Sequence, residues 1–140
     1  MTISELATEA MILIDDYQLF TGYVNHIVST LQLKNIHVFS GPISGRTKAG
    51  LCVIQNGKGW VTCNSPLIKE IGNEHSVDYR IGLKEIAAHE VSHAIAFLKH
   101  GLEIEHHGPE WEFCMYWMMG ATKISYKMQW EIPQILLGVK

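Results

Sequence analysis

Cysteine is scarce and scattered. Cys52, Cys63 and Cys114 are odd in number and contain no CxxC pair. A disulfide framework and a cysteine-based zinc ribbon are therefore excluded as the organising principle. Positive charge is not in excess either: 11 Lys and Arg stand against 14 Asp and Glu, a net charge of −3. That balance excludes a globally basic nucleic-acid binder. No apolar run approaches the roughly 18 residues needed to cross a bilayer, so no membrane partner is expected. The opening MTISELATEA carries neither the basic nor the apolar region of a secretory leader, and a cytoplasmic location is the expectation. Internal repeats, low-complexity tracts and linkers are also missing.

What remains is a chain of 140 residues with a hydrophobic fraction of 47%. That is enough apolar material for one folded domain spanning residues 1–140. Its charge is unevenly spread. Between Tyr17 and Lys69 the charged residues are Lys34, Arg46, Lys48, Lys58 and Lys69, with no acid, which leaves −8 for the rest. Histidine is abundant at 8, and five of these fall between His89 and His107.

Periodicity divides the chain into an α+β pattern. Thr2 followed by Glu5 reads as a capping box that opens a helix carrying Leu6, Ala10, Leu13, Ile14 and Tyr17. Phe20, Val24, Ile27 and Leu31 continue at helical spacing, with Gly22 blurring the boundary between the two stretches. Ile36 to Phe39 reads as a short strand ended by Gly41-Pro42. Leu51 to Ile54 and Trp60 to Cys63 flank Asn56-Gly57, a hairpin signal, although Gln55 to Gly59 is longer than a two-residue loop and leaves the register open. From about Ile81 to His100 the apolar residues cover some 200° of a helix, wide enough for a buried central helix that Gly101 ends. Pro109 suits the first position of a further helix. N-terminal helices, a small antiparallel sheet and two later helices are thus expected.

His89-Glu90-Val91-Ser92-His93 is an HExxH motif, and its meaning is geometric. Positions i and i+4 lie one turn and about 40° apart, so two imidazoles can converge on one metal ion. Neutral imidazoles suit Zn²⁺, and a catalytic site needs a third protein ligand and a place for water. Glu90, beside the first ligand, can take a proton from water whose pKa the metal lowers towards about 7. The motif lies on a helix apolar over much of its circumference, where unpaired polar groups are costly. A further pair, His106-His107, follows just before the next helix start.

These residues resemble the SprT-like (Spartan) zinc metalloproteases. Members carry HExxH followed by a histidine–glycine element with an acid and an aromatic, here His107-Gly108-Pro109-Glu110-Trp111. Arg46-Thr47-Lys48-Ala49-Gly50 and Val61-Thr62-Cys63-Asn64-Ser65-Pro66-Leu67 look like the family's upstream elements, so the resemblance spans about residues 20 to 120. It implies a zincin-like fold with a central HExxH helix beneath the sheet and a following ligand-bearing helix. It also implies zinc held by His89, His93 and His107, with Glu90 as acid/base, and cleavage of protein, often protein on or crosslinked to DNA. His106 competes for the third position, and the place before Gly108 favours His107. Longer members continue into a cysteine-based zinc ribbon, which has no counterpart here. The stretch from Ala121 to Lys140 reads as apolar packing.

Several other residues weigh in the function. Arg46, Lys48 and Lys58, with Trp60 nearby, are candidates for following a nucleic-acid backbone. Tyr116, Tyr126 and Arg80 are candidates for stabilising the oxyanion of a tetrahedral intermediate. His100 is too far along its helix to ligate with both motif histidines, and reads as a cleft-lining or surface residue. Glu112 is a minor alternative ligand, and Glu110 suits a helix N-terminus. His26, His37 and His75 have no spacing partners. A zinc-dependent peptidase is the leading reading. A non-cutting adaptor that grips protein or DNA with the same metal-binding fold is the alternative.

Overall fold

The structure, a computed structural model, describes residues 2–5 and 15–122, with side chains through residue 118. Residues 3–5 are helical and the Thr2 hydroxyl accepts from the Glu5 N–H at 3.1 Å, as the expected cap requires. Leu6 to Ile14 and the stretch beyond residue 122, Tyr126 included, lie outside the described residues.

The first full helix, α1, runs Asp16–Thr30, and its start is set by chemistry rather than by Gly22. Asp15 accepts from the Gln18 N–H while the Gln18 side chain returns to the Asp15 N–H, a reciprocal cap. Phe20, Val24 and Ile27 then line up on one face and are fully buried. Each such side chain contributes about 1.5–3 kcal/mol by leaving water.

Strands β1 (Ile36–Val38), β2 (Gly50–Gln55) and β3 (Lys58–Cys63) form one sheet in the order β1-β3-β2. The expected antiparallel sheet is instead mixed. β2 pairs antiparallel with β3, but β1 lies parallel to β3 with Ile36 opposite Gly59. The crossover from β1 to β2, which includes the basic stretch, leaves β3 in the middle. The hairpin is also tighter than the sequence spacing suggests. Gln55 pairs with Lys58, so only Asn56 and Gly57 turn, at φ of 53° and 73°. Two consecutive left-handed residues give the turn whose twist matches the strands, and this fixes the register.

Helix α2 (Ser65–Glu74) has no counterpart in the expected pattern. Asn64 caps it, accepting from the Leu67 N–H at 3.2 Å, and Pro66 sits at its first turn. Helix α3 (Tyr79–His100) is the central element: every residue from Glu85 to Ala94 is buried. It packs against β2 and β3 on one side and against α1, α2 and helix α4 (Pro109–Thr122) on the others. Among the described residues no helix is long and apolar enough to cross a membrane.

Candidate metal centre and catalytic cleft

Helix α3 carries His89 and His93 on one face, and the connection from Gly101 to Gly108 brings back His107. The expected ligand-bearing helix is thus corrected: His107 sits in the turn before α4, because Pro109 opens that helix two residues later. The three Nε2 atoms converge. His89 and His93 are 3.1 Å apart, His89 and His107 3.1 Å, and His93 and His107 3.3 Å. A tetrahedral ion with nitrogen ligands at about 2.0–2.1 Å would place its ligands about 3.3–3.4 Å apart. The group could therefore hold a metal ion, with two buried donors and one exposed. His106 stays outside it, its exposed ring packed against Phe97 and His93.

Electrostatics suit ligation. Burial, and then the neighbouring imidazoles, push His89 well below the usual histidine range. His93 is lowered to about 3 by burial, then by His107 and His106. His107 is lowered by burial, then by His106. These shifts favour the neutral imidazole, the form that has a lone pair to give a metal.

Ligating histidines usually give their second nitrogen to a hydrogen-bond partner. Here the buried Nδ1 atoms of His89 and His93 have none among the described residues. Packing orients the rings instead. The Trp111 indole lies under the group, with ring centroids 4.8, 5.6 and 4.9 Å from those of His89, His93 and His107. Its Nε1–H donates to the His89 carbonyl at 3.2 Å, fixing that floor to α3. Trp111, the aromatic of the His107-Gly108-Pro109-Glu110-Trp111 element, is thus part of the core directly beneath the site.

The histidines open onto a cleft of about 230 Å³, lined on the sheet side by Lys48, Gly50, Leu51 and Cys52 and beside His93 by Phe97 and His106. Glu90 lines it too, although it is only 5% exposed. Burial raises its carboxyl to about 8, and the charge of Lys48 opposes that rise. Gly50 is required by this arrangement. A Cβ there would lie 2.5 Å from Glu90 Oε2 and 2.9 Å from Ile86 Cγ2. Cys52 is no nucleophile, because burial and then Glu90 push its thiol up to about 12.

Other candidates fall away from the cleft. Tyr116 is 74% exposed on α4, and Arg80 is paired with Asp78 at 2.9 Å where α3 begins. Glu112 is exposed and Glu110 half-buried in the first turn of α4. His100 is exposed at the end of α3 beside an apolar groove under Phe113 and Trp117. His26, His37 and His75 are exposed, and His37 packs on Trp60. The basic cluster divides. Arg46 binds both oxygens of Glu70 at 2.9 and 3.0 Å, Lys58 stands at the exposed hairpin, and Lys48 turns to the cleft. Nothing in residue spacing separates those three: the β1–β2 crossover places Arg46 and Lys48, and the β2–β3 hairpin places Lys58.

Comparison with curated proteins gives no match. A family model, that of the SprT-like family, matches residues 17–130, which takes in the sheet, α3, the three converging histidines and α4. The chain belongs to the SprT-like family, generally one of metallopeptidases.

Proposed function

We propose that the protein is a zinc-dependent endopeptidase with a zincin-like fold formed by one domain, His89, His93 and His107 holding the metal and Glu90 serving as general base and acid. The convergence of three neutral Nε2 atoms beside a buried carboxylate carries this reading. Zinc fits a donor set of three imidazoles, and when bound it polarises the substrate carbonyl and makes water acidic enough to ionise near neutral pH. As the carboxylate, which a bound cation would favour and the charge of Lys48 already favours against burial, Glu90 takes the proton of the attacking water and later passes it to the leaving amine. β2 is an edge strand whose first residues line the cleft, which supports an extended peptide lying alongside it as substrate.

The alternative is an adaptor of the same fold that grips protein or DNA without cutting. The buried, cleft-facing Glu90 favours hydrolysis, since ligation alone has no use for it. Casein digestion by wild type beside Glu90→Gln, with metal content measured in both, separates the readings. Cleavage by wild type and its disappearance in a metal-replete Gln variant supports the peptidase. Metal-replete wild type that cuts nothing supports the adaptor. Retained metal in His107→Ala with metal depletion in His106→Ala would move the third ligand.

Action on DNA-bound or DNA-crosslinked protein, in a cytoplasmic setting, is the finer proposal. It rests on the family and on the exposed Lys58, with Arg46 and Lys48 as weaker candidates because they already face Glu70 and the cleft. Substituting a lysine or arginine that neutralises one phosphate should flatten the logarithmic salt dependence of binding by about 0.9 on duplex DNA.

A further inference from the structure

Peptide hydrolysis places negative charge on the carbonyl oxygen, and a second donor beside the metal site speeds the step if it is fixed in advance. Lys48 is the only lysine or arginine lining the cleft among the described residues. Its charge already reaches Glu90.

The backbone around Lys48 is held on both sides. The Asn64 side-chain amide donates to the Gly45 carbonyl at 2.8 Å, and the Asn64 backbone N–H donates to the Ala49 carbonyl at 2.8 Å. Asn64 is itself buried at 1% exposure and caps α2, while Arg46 is tied to Glu70 on that same helix. Ala49 is buried at 1%, yet Lys48 beside it is exposed. The segment is therefore anchored to α2, and the Lys48 side chain is what it delivers to the cleft. The other nitrogen-bearing side chain there outside the triad, His106, packs against Phe97 and against the ring of His93, so it lies on the α3 side of the cleft, whereas Lys48 enters from the segment that leads into β2.

We propose that Lys48 is a catalytic residue of this site: its ammonium donates a hydrogen bond to the scissile carbonyl oxygen as that oxygen becomes negative. The inference rests on the peptidase reading above. In the step, a water oxygen bonds to the carbonyl carbon, its proton passes to Glu90, and the carbonyl π pair moves onto the oxygen facing Lys48. Collapse restores the C=O bond and breaks C–N, and Glu90 delivers its proton to the departing nitrogen. Lys48 keeps its own protons throughout, so its contribution is charge and orientation alone.

The test uses the full chain, zinc-loaded, on a short uncharged fluorogenic peptide without DNA. Lys48→Met should lower kcat by about 10²- to 10³-fold with KM changed less than about threefold. Zinc content and thermal unfolding should match wild type, Lys48→Arg should recover at least about tenfold of the loss, and Lys34→Met should match wild type. A phosphinate analogue of the peptide should bind Lys48→Met more weakly in proportion to the loss in kcat/KM. A Lys48→Met enzyme within about threefold of wild-type kcat, or a loss confined to KM, would overturn the assignment while leaving the peptidase reading intact. No turnover by zinc-loaded wild type would overturn both.

Discussion

Helix α3 buries two carboxylates five residues apart, Glu85 and Glu90, in contrasting surroundings. Glu90 faces the cleft with Lys48 and the gap left by Gly50, while Glu85 is 2% exposed with neither oxygen hydrogen-bonded among the described residues. Burial raises both to about 8. Equal perturbation does not mean equal role: only Glu90 has an opposing cation, neighbouring metal-ligand candidates and a path to substrate. Shifted acidity marks a functional site only when geometry agrees.

The widest separation should appear in activity. Glu90→Gln should reduce peptidase kcat by about 10²- to 10⁴-fold with bound zinc retained, whereas Glu85→Gln should stay within about threefold of wild type. Steady-state kinetics with metal analysis measures this, and comparable losses in the two variants would erase the distinction. Gly50→Ala acts on one carboxylate alone. The added methyl must displace Glu90 or Ile86, so kcat should fall by about ten- to a hundredfold, and Glu85→Gln combined with it should add nothing further.

Acid stability sharpens the contrast from the side of the histidines. Because His93 is lowered from 6.5 to about 3, the unfolded chain binds protons there that the folded chain refuses. Metal-free protein should therefore lose stability as pH falls from about 6.5 towards 3, and saturating zinc should raise Tm most near neutral pH, where ligation meets no proton competition. Calorimetry with and without zinc tests both, and a flat metal-free profile would count against buried neutral imidazoles. The smallest effect belongs to Glu85. Its folded value of about 8 exceeds the ordinary 4.5, so its contribution is full below pH 4.5 and is lost as pH rises through 8. Glu85→Gln removes that loss, and its Tm should gain a few degrees on wild type between pH 5 and 9.

The local parts of this arrangement are legible in the sequence. HExxH spacing places two histidines on one helical face, the His107-Gly108-Pro109 run puts a third beside a helix start, and Asn56-Gly57 marks the hairpin. Each depends on residues close in sequence. The missing parts depend on chain crossovers. The parallel β1–β3 pairing, the close pass of Gly50 over Glu90 and the turning of Lys48 into the cleft all follow from how the β1–β2 connection is routed. Helix α2 escapes notice for a local reason: its start is set by Asn64, and Pro66 directly after Ser65 resembles the end of a strand. The spacing of Trp111 marks it as core, which is right but silent on what it supports.

The convergence of His93 and His107 across 14 positions of chain has a topological consequence. A shared ion there acts as a cross-link, closing the end of α3 from His93 and the irregular connection as far as His107 into one ring. Closing a loop of about this size with a covalent bond is worth about 3 kcal/mol in chain-entropy models. Coordination should restrain the same freedom reversibly, and amide hydrogens from Gly101 to Gly108 should exchange more slowly once zinc is bound. The stretch of chain that delivers the exposed ligand is thereby ordered by the ion it delivers it to.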